Sequence, residues 1–151
     1  MMRTMDIHAT GLPCPEARPE FYDGVVAKRG LAWVVDTVLI TVATLLAGIL
    51  TLTVGLFLWP LFFTVIGATY RIATLTTRSA TLGMRLVGIE LRAPDGGRLD
   101  PMQATLHVGG YYASWIAVLP GLVSLGAMIA TPRRQGLTDL VLGTAAINRP
   151  G

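Results

Sequence analysis

"KRGLAWVVDTVLI", residues 28–40, sets two cations, Lys28 and Arg29, against an apolar run and then places a carboxylate, Asp36, inside that run. From Leu31 to Leu52, Asp36 is the only charge in 22 residues. That length matches the roughly 20 apolar residues a helix needs to cross a hydrocarbon core. The stretch therefore predicts a transmembrane helix over about 31–52 with a basic entry and one buried acid. An ionised side chain near a helix centre costs roughly 2.5–3.5 kcal/mol even on the milder insertion scale. Asp36 needs a partner.

Reading onward, Val54 to Tyr70 carries no charge, and Arg71 and Arg78 close the run. A second span over 54–77 is predicted after a tight turn at 51–55. Trp33 and Trp59 fall where opposite membrane interfaces would lie, and indoles anchor there. Between Arg78 and Pro101 the chain turns polar. "RLVGIEL" (85–91) alternates and "PDGG" (94–97) offers turn residues, which predicts a β-hairpin over 84–100. Asp100, Pro101 and Gln103 then fit the N-cap, first position and N3 amide of a helix. They open a third apolar region, 102–131, which is interrupted by Pro120–Gly121. The closing module, 132–149, contains a short amphipathic turn around Leu137, Leu140 and Val141, stopped by Gly143. It ends in a strand-like "TAAIN" (144–148) expected to pair with 85–91.

The composition agrees. Of 151 residues 52% are hydrophobic and 14% charged, against a usual charged share of about a quarter. The fold class expected is an all-α membrane protein: two transmembrane helices, a Pro-Gly-broken third apolar helical region and a small cytoplasmic β-hairpin. One domain, 25–149, follows a polar, loosely ordered tail over 1–24, which lacks the apolar core of a signal peptide. The net charge of +3 comes from basic residues beside apolar runs, so the lipid bilayer rather than nucleic acid is the expected anionic partner. The lone Cys14 makes no internal disulfide, His8 lies in the tail, and no Cys/His spacing suits a metal. No cofactor is expected.

Basic residues also set the orientation. Lys28 and Arg29 precede the first span, Arg78, Arg85, Arg92 and Arg98 follow the second, and nothing basic lies near the turn at 51–55. The positive-inside bias places both basic segments in the cytoplasm. A full third crossing would expel Arg133, Arg134 and Arg149, so a break at Pro120–Gly121 that returns the chain is preferred. Such a re-entrant segment requires protein or water to satisfy its freed backbone groups.

Four residues, Arg29, Asp36, Arg71 and Asp139, are the candidates for a transport or structural charge network, and a fifth, His107, is a separate candidate. Arg29 and Asp36, seven apart, share a helix face about 10 Å apart in height, with Thr37, Thr41 and Thr44 as nearby hydroxyls. Positions 36 and 71 are equidistant from the turn, so Arg71 is the expected partner of Asp36, with Arg29 as second partner. The pair reads as polar glue between helices or as a protonatable carboxylate on an ion path. Asp139 is expected near Arg29 or Arg133 in a helix-end role. His107, at the mouth of the third apolar region, is a candidate proton-linked group. No nucleophile–base set or phosphate loop appears, so enzymatic activity is not expected.

At these residues the chain resembles the RDD family of bacterial membrane proteins, named for an arginine and two aspartates, here Arg29, Asp36 and Asp139. The resemblance runs from about 25 to 149 and is carried by "KRGLAWVVD", "TLGMRLVGIELRAPDGGRLD" and above all "RRQGLTDLVLGT". Met84 and His107 depart from the pattern, standing where a lysine and an arginine are common. The resemblance implies an integral inner-membrane protein, in some members linked to exchange of monovalent cations for protons.

Two functions are thus expected in competition. One is a small transporter, a homo-oligomer, in which Asp36 exchanges a proton for a cation and Arg29 or Arg71 tunes it. Small residues four apart, Thr44/Gly48, Gly110/Ser114 and Gly126/Ala130, would let helices of two copies, or of one, approach closely. The other is a non-catalytic accessory or assembly module that binds a membrane-protein partner through its cytoplasmic hairpin and tail.

Overall fold

The computed structural model describes residues 10–51 and 54–150, so positions 52 and 53 of the expected turn and the first nine residues of the tail, His8 among them, lie outside the described chain. Helix α1, Val25–Leu50, runs for 26 residues, about 39 Å at 1.5 Å per residue. Its buried residues, Val25, Ala32, Asp36, Ile40, Thr44 and Gly48, recur at helical spacing and form one stripe. Every other face presents large apolar side chains outward, among them Leu31, Val34, Val38, Val42, Leu46 and Ile49. This inverts the pattern of a soluble surface helix, whose outward face is polar. Only 22% of the apolar window of this helix is buried inside the protein.

The chain turns back through α2, Val54–Phe57, into α3, Trp59–Arg78. A Cβ on Gly55 would come within 2.7 Å of Gly48 Cα, so the two glycines set the close approach of the helical hairpin. Gly110 packs on Thr138 in the same way. Those small residues therefore serve contacts within one copy, whereas Gly126 faces open space. Among the described residues, α1 is the single helix long and apolar enough to cross a membrane. The pair α5, Pro101–Ile116, and α6, Leu119–Ala130, qualifies only as one unit bent by 118°. The bend falls at Ala117–Val118 rather than at Pro120–Gly121, because Pro120 is already in the first turn of α6, where its missing N–H is no loss.

The expected hairpin over 84–100 is corrected by the structure. Thr81 caps a short helix α4, Leu82–Leu86, with Met84 N–H donating to Thr81 Oγ1 at 3.2 Å. Strand β1 is therefore only Ile89–Arg92. The "PDGG" turn forms, with Ala93 N–H donating to Gly97 O at 3.0 Å, but the chain beyond it does not continue the ladder. Leu99 N–H donates instead to Ser79 Oγ at 2.8 Å. The partner of β1 is β2, Ala145–Asn148, antiparallel with Glu90 opposite Ile147 and Leu91 opposite Ala146. Between α6 and β2 lies α7, Leu137–Leu142, which ends at Gly143 in the left-handed conformation. That conformation suits glycine, which has no Cβ to clash.

From residue 10 the tail is packed, not loose. Leu12 and Tyr22 are buried against Ala145 and Ile147, and Asn148 Nδ2 donates to the carbonyls of Glu20 and Asp23. Lys28 Nζ reaches Asn148 Oδ1 at 2.7 Å, and Arg133 reaches Thr10. The sheet, the tail, the start of α1 and the loop after α6 thus share one end of the bundle. Because β1 and β2 pair, the chain that leaves this end at α5 is back at it by Ala145.

Candidate functional site

Two buried carboxylates organise the interior, and each is held by a different part of the chain. Asp36 is 1% exposed. Its Oδ1 accepts hydrogen bonds from the Tyr70 hydroxyl at 2.6 Å and from Gly83 N–H at 2.9 Å, and its Oδ2 accepts one from Thr81 Oγ1 at 2.5 Å. Gly83 has to be glycine for this: a Cβ there would stand 2.2 Å from the Ala32 carbonyl oxygen and 2.9 Å from Asp36 Oδ1. Arg71 is a more distant neighbour, its Nη1 lying 4.0 Å from Asp36 Oδ2. Depth matching across the helical hairpin is therefore correct, while the expected order of partners is not. Hydroxyls and a backbone amide hold Asp36, and Arg71 supplies charge from the edge.

Arg29 does not partner Asp36. Its Nη1 donates to Asp139 Oδ2 at 2.7 Å, because α7, packed on α5 and α6, comes within reach of the arginine side chain from the first turns of α1. Asp139 is 1% exposed. It also accepts from Gly136 N–H at 3.1 Å and from Thr144 Oγ1 at 2.9 Å, and His107 Nδ1 lies 3.5 Å from its Oδ1. Burial alone would push this carboxyl up. The charges of Arg29 and then His107, with the hydrogen bonds from Arg29 and Gly136, outweigh it and hold the carboxyl below its ordinary range. The helix-end role expected for Asp139 is visible in the Gly136 bond, which satisfies one free N–H at the start of α7.

The threonines expected beside Asp36 are occupied elsewhere. Thr41 and Thr44 hydroxyls donate to the carbonyls of Thr37 and Ile40 one turn back. The residues that do the work, Tyr70, Thr81, Gly83 and Thr144, were not singled out as site residues. Thr81 had one usable signal, since a threonine before "LGM" is a helix N-cap. Tyr70 and Thr144 had none, because their roles depend on contacts 34 and 5 residues away in sequence that only the fold creates.

All five predicted site residues, Arg29, Asp36, Arg71, His107 and Asp139, line one cavity of about 370 Å³ between α1, α3, α5, α6 and α7. Arg71 sits 4.9 Å from the centre of the Tyr111 ring, a favourable cation–π distance. Trp33, Trp115, Leu125 and Met128 supply apolar wall. Among the described residues no cluster of three or more His, Cys, Asp or Glu is placed to hold a metal ion.

An apolar exterior around a charge-locked interior defines a small helical membrane protein. Residues 24–143 match the profile of the RDD family, and the chain belongs to that family, a family of membrane proteins. The match contains the arginine and both aspartates described above. Comparison with curated proteins returns no match, and comparison with solved structures returns none.

Proposed function

We propose that this chain is a multi-pass protein of the bacterial inner membrane that acts as a non-catalytic module, holding a ligand or a membrane-protein partner rather than carrying ions. The observation behind this reading is the saturation of both carboxylates. A carboxylate offers about four lone-pair directions. Asp36 accepts from Tyr70, Gly83 and Thr81 with Arg71 4.0 Å away, and Asp139 accepts from Arg29, Gly136 and Thr144 with His107 3.5 Å away. A cation arriving at either acid would have to displace donors that the fold itself provides.

The orientation proposed puts the sheet end in the cytoplasm. Apart from Arg71, every lysine and arginine among the described residues belongs to that end, in accord with the positive-inside bias. The pairing of β1 with β2 supports a third region that enters and returns. Its arms of 16 and 12 residues are about 24 and 18 Å long, short of the roughly 30 Å core.

One observation favours the second reading, exchange of monovalent cations for protons: both acids and His107 open onto a single cavity. Proton flux driven by sodium or pH gradients, measured in vesicles holding the purified protein, separates the two. The module reading expects flux equal to that of empty vesicles. Flux that Asp36→Asn abolishes would overturn it in favour of exchange.

A further inference from the structure

Arg71 is a buried charge that the fold leaves underused. Asp36 has three closer donors and meets the guanidinium only at 4.0 Å, the outer limit of an ion pair. Arg71 Nε is buried with no hydrogen-bond partner, and so is His107 Nδ1. Both residues line the same cavity. Buried donors without acceptors are rare in native proteins and each calls for an explanation. A guanidinium is a flat fork fitted to two oxygens of one carboxylate or phosphate. Besides the polar His107 and the groups the fold already pairs, Arg29, Asp36 and Asp139, the wall carries apolar side chains, Trp33, Trp115, Leu125 and Met128 among them, and the cavity's volume of about 370 Å³ lies within the usual range of small-ligand sites.

The geometry points to an amphiphile in this cavity, with an acyl chain against the Trp33, Trp115, Leu125 and Met128 wall and an oxyanion head, carboxylate or phosphate, on Arg71. The head supplies an acceptor for Arg71, whose Nε has none, and the chain covers apolar surface that no side chain of the protein fills. This names the ligand class for the cavity of the module proposed above and rests on that membrane reading. Free fatty acid and anionic phospholipid are two sources of the same chemistry.

Tryptophan fluorescence tests it on the full chain in a neutral maltoside detergent. The Trp59→Phe protein leaves Trp33 and Trp115, both on the cavity wall, as emitters. A protein with Trp33→Phe and Trp115→Phe leaves Trp59, which reports chains that merely gather around the exterior. The probes are a mid-chain brominated fatty acid, a brominated phosphatidylglycerol and a brominated fatty alcohol. We expect saturable quenching of the cavity tryptophans by the acid or the phospholipid, about tenfold tighter than by the alcohol, the worth of one charge-assisted hydrogen bond. Saturation by the acid alone assigns a free fatty acid, and saturation by the phospholipid assigns a membrane lipid. Equal binding of the alcohol overturns the inference, as does the same curve from the protein that retains only Trp59. Arg71→Gln should erase the tenfold preference, and a preference that survives it also overturns the assignment. Should that variant fail to fold, the acid-to-alcohol comparison on the Trp59→Phe protein still decides. Flux is not read here, so saturable quenching together with vesicle flux would overturn only the non-transporting reading, and neither signal would overturn only the amphiphile.

Discussion

Arg29 and Asp139, 110 residues apart in the chain, meet at 2.7 Å with the aspartate 1% exposed and the arginine side chain 17% exposed. The contact ties the first turns of α1 to the last helix and so closes the bundle at the sheet end. It is charge-assisted, and Asp139 also accepts hydrogen bonds from Gly136 and Thr144, with His107 Nδ1 3.5 Å away. A buried pair with its other hydrogen bonds satisfied is the arrangement in which attraction repays desolvation.

Breaking that pair by one member should therefore be costly. Asp139→Asn and Arg29→Gln are each expected to destabilise the detergent-purified protein by about 3–5 kcal/mol, and the double variant by clearly less than the sum. Thermal unfolding of the four proteins measures the coupling. Strict additivity would show that the contact does not contribute.

The same carboxyl gives a pH signature. Its folded value lies below the unfolded one, so its contribution to stability is complete above the ordinary carboxylate value of about 4 and is lost as pH falls through that value toward the folded one. Melting temperature should hold steady on acidification from neutral pH and then fall below about pH 4. Asp139→Asn should show a shallower fall over that window. A variant with an unchanged acid limb would remove Asp139 as the source.

For Asp36 the nearest donors should matter more than the nearest cation. Thr81→Ala and Tyr70→Phe each remove the hydrogen bond to Asp36 together with one accepted from a backbone N–H, of Met84 and of Leu82 respectively, expected to cost about 1–3 kcal/mol. In double-variant cycles with Asp36→Asn, Thr81 should couple more strongly than Arg71, whose Nη1 is 4.0 Å away against 2.5 Å for the threonine hydroxyl. The reverse order would restore the ion pair as the main contact.

Much of this was legible from residues 28–40 and their counterparts. The depth match of 36 with 71 follows from counting along two antiparallel helices, and the pairing of 144–148 with "RLVGIEL" follows from two short strand-like runs confined to one side. Asp100 and Gln103 make both bonds of the expected cap, at 2.7 and 3.1 Å. What failed was local ambiguity. The alternation in "RLVGIEL" continues upstream into residues that Thr81 captures for α4, so a helix and a strand share a stretch read as one hairpin arm. The contact of Arg29 with Asp139 is one of the two expected for that acid, but that it leaves Asp36 without Arg29 is not, because only the path of the chain after α6 decides which acid the arginine meets. Val118, with φ 59, carries no glycine-like signal that would have placed the bend two residues before Pro120.

Two glycines of the site region should respond in opposite ways. Gly83→Ala sets a Cβ 2.2 Å from the Ala32 carbonyl oxygen, and backbone cannot yield as a side chain tip can. A loss of at least about 1–3 kcal/mol is expected, as for overpacking. Gly30→Ala meets nothing within 4 Å and lies inside α1, where alanine is favoured by roughly 0.5–1 kcal/mol. Unfolding midpoints that move together in the two variants would contradict the close packing of α4 on α1.

The membrane arrangement gives the last prediction. Because β1 and β2 are hydrogen-bonded partners, residues 92 and 145 must occupy one compartment, and α5 and α6 must leave and re-enter on that side. In a Cys14→Ser background, cysteines at Gly97, in the turn after β1, and at Thr51, at the end of α1, lie at opposite ends of the first helical hairpin. The basic residues Arg78, Arg85, Arg92 and Arg98 predict that a membrane-impermeant thiol reagent added to intact cells labels Thr51→Cys and spares Gly97→Cys. A reporter fused after Gly151 should then behave as cytoplasmic, together with Arg133, Arg134 and Arg149. An external reporter combined with a protected Gly97→Cys would require the sheet to be split across the membrane. That outcome would overturn the returning third region and the shared cytoplasmic end at once. Labelling of both cysteines from outside would leave the sheet intact but reverse its side, and the positive-inside argument alone would fall.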